Sequence, residues 1–94
     1  MNEIDIRRPV HHPSTASRVF GNDAVVISPA ENMVRMLNPV GSRIWQLTDG
    51  SNTVEDIAVT LTQEFEVDLP HARQSVAGFV EDLVNRNLAM WANG

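Results

Sequence analysis

Apolar and polar positions along the chain keep two rhythms, a short-period one first and a helical one afterwards. Arg18-Val19-Phe20 reads as a short apolar strand, Gly21-Asn22-Asp23 as a tight turn, and Ala24-Val25-Val26-Ile27 as a β-branched run, together a hairpin. Ser28-Pro29-Ala30-Glu31-Asn32 makes a second turn into a third strand, Met33-Val34-Arg35-Met36-Leu37. Asn38 then caps a helix, with Pro39 at the first helical position, where its missing N–H costs nothing. Val40, Ile44 and Leu47 recur at helical spacing, and Asp49-Gly50 ends the element. Thr53 opens a second helix whose buried stripe is Ile57, Ala58, Leu61, Thr62 and Phe65, and Glu66-Val67 closes it. Asp68 caps a third helix from Leu69 to Asn85, with Pro70 harmless in its first turn. Leu88-Ala89-Met90-Trp91 returns as a short tail strand.

Strands followed by helices predict an α+β domain, a three-stranded antiparallel sheet and then three helices, similar in outline to a winged helix-turn-helix. The domain is expected over residues 17–94. Residues 1–16, with Arg7-Arg8-Pro9 and His11-His12-Pro13, read as an extended, flexible N-terminal arm.

The third helix carries more apolar surface than one contact needs. Ala72, Val76, Phe79 and Leu83 form the expected core stripe, and Arg73, Ala77, Val80 and Val84 form a second stripe beside it. Periodicity leaves two readings of the second stripe open: deep packing, or the wall of a groove for a partner.

Composition narrows the function. Ninety-four residues allow one modest core. The absence of cysteine removes disulfides and thiolate chemistry. A net charge of −5, with seven arginines and no lysine, argues against nucleic acid and anionic membrane alike. The acidic N-terminus carries no secretory signal pattern, and no apolar run is long enough to span a bilayer, so a cytoplasmic location is expected. His11, His12 and His71 lack the spacing of a metal site, and Trp45 reads as a core anchor. No serine sits in a nucleophile context and no glycine-rich loop cradles phosphate, so neither catalysis nor a cofactor or metal is expected. A winged-helix DNA reader is the rival class, set back by Glu81 and Asp82 on the helix that would read.

The ordered set Leu37-Asn38, Val40-Gly41, Ile44-Trp45, Asp49-Gly50, Thr53 to Ile57, then Phe79-Val80, Leu83 and Asn87-Leu88 closely resembles the PqqD family over residues 17–90. Asn87 stands where many relatives have glycine, and it too tolerates a left-handed cap. The resemblance implies a RiPP recognition element, a chaperone that binds the leader of a ribosomally made precursor peptide. It implies presentation of that peptide to a modifying enzyme, a radical SAM protein in the namesake pyrroloquinoline quinone (PQQ) biosynthesis. It further implies that the leader adds as a strand beside the third strand, with Val34, Arg35 and Met36 at the edge. Arg73, Ala77, Val80 and Val84 would be the facing wall, so that Val80→Asp or Val84→Asp would abolish binding and spare the fold. A subunit that binds the enzyme directly is the alternative, and a free sheet edge permits either a monomer or a strand-exchanged homodimer.

Overall fold

The computed structural model describes residues 6–28 and 32–92. The elements run β1 (Pro9–His11), β2 (Ala16–Phe20), β3 (Asp23–Ser28), β4 (Met33–Leu37), α1 (Pro39–Leu47), α2 (Val54–Glu64), α3 (Leu69–Asn85) and β5 (Ala89–Trp91). The expected antiparallel three-stranded sheet, in the order β2-β3-β4, precedes the three helices. Gly21 at φ +60° occupies the first central position of the two-residue β2–β3 turn, a place that favours glycine. The second turn, expected at residues 28–32, falls largely outside the described residues.

Each helix begins where its cap residue predicts. The Asn38 side chain accepts the Gly41 N–H at 2.7 Å, and Asp68 accepts that of His71 at 2.9 Å. At α2, Thr53 and Asp56 accept each other's backbone N–H at 3.0 and 2.9 Å, a reciprocal capping box. At the far end of α3, Asn87 adopts φ +59°, and the N–H groups of Asn87 and Leu88 return to the carbonyls of Val84 and Leu83. This is a Schellman motif closed by apolar contact between Leu83 and Leu88, which share a cluster.

The core has two connected parts. Ile44, Val54, Ile57, Ala58, Leu61, Ala72, Val76 and Val80 join the three helices. Ala24, Val26, Leu37, Trp45, Leu83, Leu88 and Ala89 join the helices to the inner face of the sheet. The approach of α1 to α3 depends on Gly41, because a Cβ there would lie 3.2 Å from Phe79 Cε2.

The N-terminal segment departs from expectation. Rather than a loose arm, Pro9–His11 pairs antiparallel with β5 as a separate two-stranded sheet, and Val10 bridges to Asp49. Backbone bonds tie Pro9 to Gly50, Arg7 to Val54, Arg8 to Ala92 and His12 to Leu88. His11 lies flat on the Trp45 indole, with centroids 3.7 Å apart and planes 9° from parallel. Its Nε2 is 2.6 Å from the Trp45 carbonyl oxygen, so Nε2 carries the hydrogen that is donated. Arg7 covers Trp91 at 4.3 Å from the ring centroid. The prolines do keep this segment extended. Its partner is a tail strand distant in sequence, which no local pattern reveals.

His11→Ala is expected to lower stability by about 1–2 kcal/mol, since it removes one hydrogen bond and one stacked ring. Urea denaturation followed by tryptophan emission checks this; an unchanged midpoint would mean that the segment does not hold the fold.

Candidate functional site

The site is built on a sheet edge. β4 is the last strand of its sheet, and among the described residues no further strand pairs with it. The two-residue β2–β3 turn makes Phe20 and Asp23 a hydrogen-bonded pair, and pairing alternates from there. Ala24, Val26 and Ser28 therefore bond toward Leu37, Arg35 and Met33. Val34 and Met36 are left with their backbone N–H and C=O groups directed outward.

The side chains of β4 alternate in the opposite sense. Leu37 is buried and Arg35 half-buried on the helix side, whereas Val34 and Met36 stand on the far face, 64% and 76% exposed. Of the three expected edge residues, only Arg35 turns its side chain toward α3. Its guanidinium lies 3.4 Å from the Asp82 carboxylate, which Arg86 also holds at 3.0 Å. These bonds, Arg86 first and then Arg35, keep the Asp82 carboxyl below the usual carboxylate range.

Asp82 identifies the flank of α3 that borders β4. At ~100° per residue, Ser75, Gly78 and Phe79 lie within ~60° of Asp82 round the helix. Arg73, Ala77, Val80 and Val84 lie ~140–180° away by the same measure. The contacts agree. Val80 is fully buried against α1 and α2, and Ala77 packs on the same cluster. Arg73 makes a two-pronged bond to Glu55 of α2, at 2.8 Å in each arm. Val84 lines a cleft with Arg7, Glu81, Asn85 and Trp91. The second stripe is thus turned away from the edge, and the expectation that it walls a groove beside β4 is corrected. Its apolar residues serve packing against α2 and the two-stranded sheet. Apart from Phe79 at its margin, the wall that does face β4 is small or polar (Ser75, Gly78 and Asp82), so apolar periodicity could not mark it. Gly78, with open space where a Cβ would be, is the sequence feature that could have done so.

The remaining candidates have structural roles. His71 is exposed and bonded to Asp68 at 2.8 Å. Trp45 is buried, with no hydrogen-bond partner for its indole N–H among the described residues. Among those residues no group of three His, Asp or Glu side chains is placed to hold a metal. Among the described residues, no helix is long and apolar enough to cross a membrane.

A small α+β domain with an open strand edge beside a helix is the class that this geometry defines. A family model described as coenzyme PQQ synthesis protein D (PqqD) matches residues 23–89, and the chain belongs to that family. Among solved structures, TbiB1 in complex with the TbiA(beta) leader peptide is 25% identical, with a TM-score of 0.78 over 85% of this chain and 93% of that one. A lasso peptide synthetase B1 complexed with its leader peptide has the same fold at 22% identity and a TM-score of 0.78, covering 88% and 98%. The PqqD truncation of Methylobacterium extorquens PqqCD, described as a stand-alone RiPP recognition element, has it at 21% and 0.70, covering 87% of each chain. No curated protein matches the chain.

Val80→Asp is expected to unfold the domain, because an uncompensated carboxylate in that core costs about 3–5 kcal/mol. Circular dichroism checks it; a folded variant would return Val80 to the surface. The lowered Asp82 carboxyl sets a pH dependence. Its contribution to stability is complete above the ordinary carboxylate pKa and is lost as pH falls through the lowered value. Asp82→Asn should flatten that part of the acid limb in urea titrations.

Proposed function

We propose that this protein is a non-catalytic peptide chaperone that binds the leader of a ribosomally made precursor peptide and presents it to a modifying enzyme. The observation that carries the reading is the open β4 edge, with the backbone groups of Val34 and Met36 directed outward alongside α3. A peptide strand added there gains main-chain hydrogen bonds that depend little on its sequence. Arg35, Ser75, Gly78, Phe79 and Asp82 then meet its inward side chains and confer selectivity. Membership of the PqqD family supports this reading, as does the likeness to TbiB1, whose structure holds a leader peptide. Such a domain works in the cytoplasm beside its enzyme, a radical SAM protein if the pathway is that of the namesake cofactor. The same edge also permits a strand-exchanged dimer when no leader is present.

One observation favours direct contact with the enzyme as well. The outer face of the sheet carries Phe20, Val25, Ile27, Val34 and Met36, with Phe20 58% exposed. An apolar face of this kind suits a protein partner docked beside the leader.

A backbone N-methyl scan of the precursor leader tests strand addition without altering the domain. Each methyl that blocks a paired N–H should weaken binding about tenfold or more, with a period of two residues. Isothermal titration measures it; uniform tolerance along the leader would rule out strand pairing.

A further inference from the structure

The sheet has a second open edge. β2 lies on the side opposite β4, and among the described residues no strand pairs with its outer side. The hydrogen-bonded pair of Phe20 and Asp23 sets its phase, so Ser17 and Val19 direct their backbone N–H and C=O groups outward. No proline or lysine guards this strand, and all five of its residues are exposed. Ala16, Arg18 and Phe20 project on the outer face of the sheet, beside Ile27, Val25 and Asp23. A cleft of about 260 Å³ opens there, lined by Ala16, Ser17, Arg18, Phe20, Val25 and Ile27.

Charge singles out the same strand. Six of the seven arginines are engaged within the domain. Arg7 covers Trp91, Arg8 bonds the Ser51 carbonyl, and Arg35 and Arg86 share Asp82. Arg43 is held by Glu64 and Arg73 by Glu55. Arg18 alone has no ion pair, hydrogen bond or aromatic partner among the described residues. In a chain of net charge −5, one uncommitted guanidinium on an open strand edge marks a place for an anionic group.

We infer that the β2 edge is the docking surface for the modifying enzyme, which lays an extended segment along it with an acidic residue opposite Arg18 and an apolar residue two positions away in the cleft. The inference rests on the reading above that the chain presents its peptide to an enzyme. The outward groups of Ser17 and Val19 supply main-chain hydrogen bonds to such a segment. The period of two brings alternate side chains of the segment onto the face that holds Arg18 and Phe20. Phe20 and the cleft beside it then cover the apolar residue, while Arg18 meets the acidic one. A second copy of this chain is the weaker occupant. Full antiparallel overlap of two β2 strands about a two-fold axis sets Arg18 against Arg18 of the other copy, and like charges directly opposite are destabilising. Docking at β2 leaves β4 open. The enzyme segment and the leader then become the two outer strands of one five-stranded sheet, ~19 Å apart at ~4.8 Å per strand.

The probe is the modifying enzyme encoded beside the precursor, titrated into the full chain by calorimetry and by amide NMR, with the leader titrated separately. Enzyme-induced shifts should concentrate on residues 16–20. Arg18→Glu should weaken enzyme binding about ten- to hundredfold and leave leader affinity unchanged. Added salt should weaken the enzyme complex of the parent chain and have little effect on that of Arg18→Ala. Val19→Pro removes an outward N–H that the sheet does not use, so circular dichroism should show an intact fold and calorimetry about a tenfold loss of enzyme affinity. Enzyme binding that ignores Arg18→Glu and Val19→Pro would overturn the inference, as would no enzyme binding at all. Sedimentation showing a dimer of the chain that Arg18→Glu disperses would give the edge to a second copy and overturn it too. A leader that fails to bind, while enzyme affinity keeps its dependence on Arg18, would sink the leader reading and leave this surface standing.

Discussion

The rotational setting of α3 is the constraint on which the rest of the molecule depends. Val76, Val80 and Leu83 are buried so completely that the helix has one orientation about its axis. That orientation fixes both flanks at once. One flank commits Arg73 to Glu55 and Val84 to the β1–β5 side, and the other lays Asp82 and Gly78 along β4. A change that rotated α3 by a single residue would bury a charge or expose a core valine. The groove beside the strand is thus held by packing elsewhere and needs few contacts of its own.

A second device keeps that packing in place. β1 and β5 clasp across the domain, β1 also bonds the loop before α2 at Asp49 and Gly50, and Arg7 just ahead of β1 accepts the N–H of Val54 at the start of α2. The segment from Arg7 to His12 therefore closes the end of the core at Trp45, a residue shared between the sheet and the helices. The β4 edge takes no part in this clasp. On the proposed reading, stability and recognition fall to different strands, so that an added strand would come and go without loosening the core.

Much of this was legible in the sequence, for identifiable reasons. Asn38, Thr53 and Asp68 are local signals, since a cap residue acts on an N–H two or three positions away. The hairpin follows from Gly21-Asn22 between two apolar runs, again a local matter. What failed was non-local. The β1–β5 pair joins residues about eighty positions apart, and three-residue strands carry too little periodicity to announce a partner. The helix wall failed differently. A stripe of Ala77, Val80 and Val84 has the same appearance whether it faces a groove or another helix, and only the packing of α2 decides. The strand failed by half: its edge position was right, but the period of two sends Val34 and Met36 away from α3.

That division of β4 bears on how a peptide could be chosen. If a peptide adds at this edge as proposed, the backbone groups of Val34 and Met36 would supply pairing that any extended segment can use, and discrimination would come from Arg35 and the α3 flank. Arg35 is not idle before a peptide arrives, because it is held by Asp82 at 3.4 Å. Both side chains of that pair are substantially exposed, 30% and 46%, and an ion pair so wetted is worth little. An acidic leader residue can take over the guanidinium at small cost, and Asp82 keeps Arg86 as its partner. A neutral or basic residue at the same point gains nothing and leaves the resting pair in place. On the proposed reading, the resting ion pair would filter peptides by charge, while the strand edge beside it would admit them by shape.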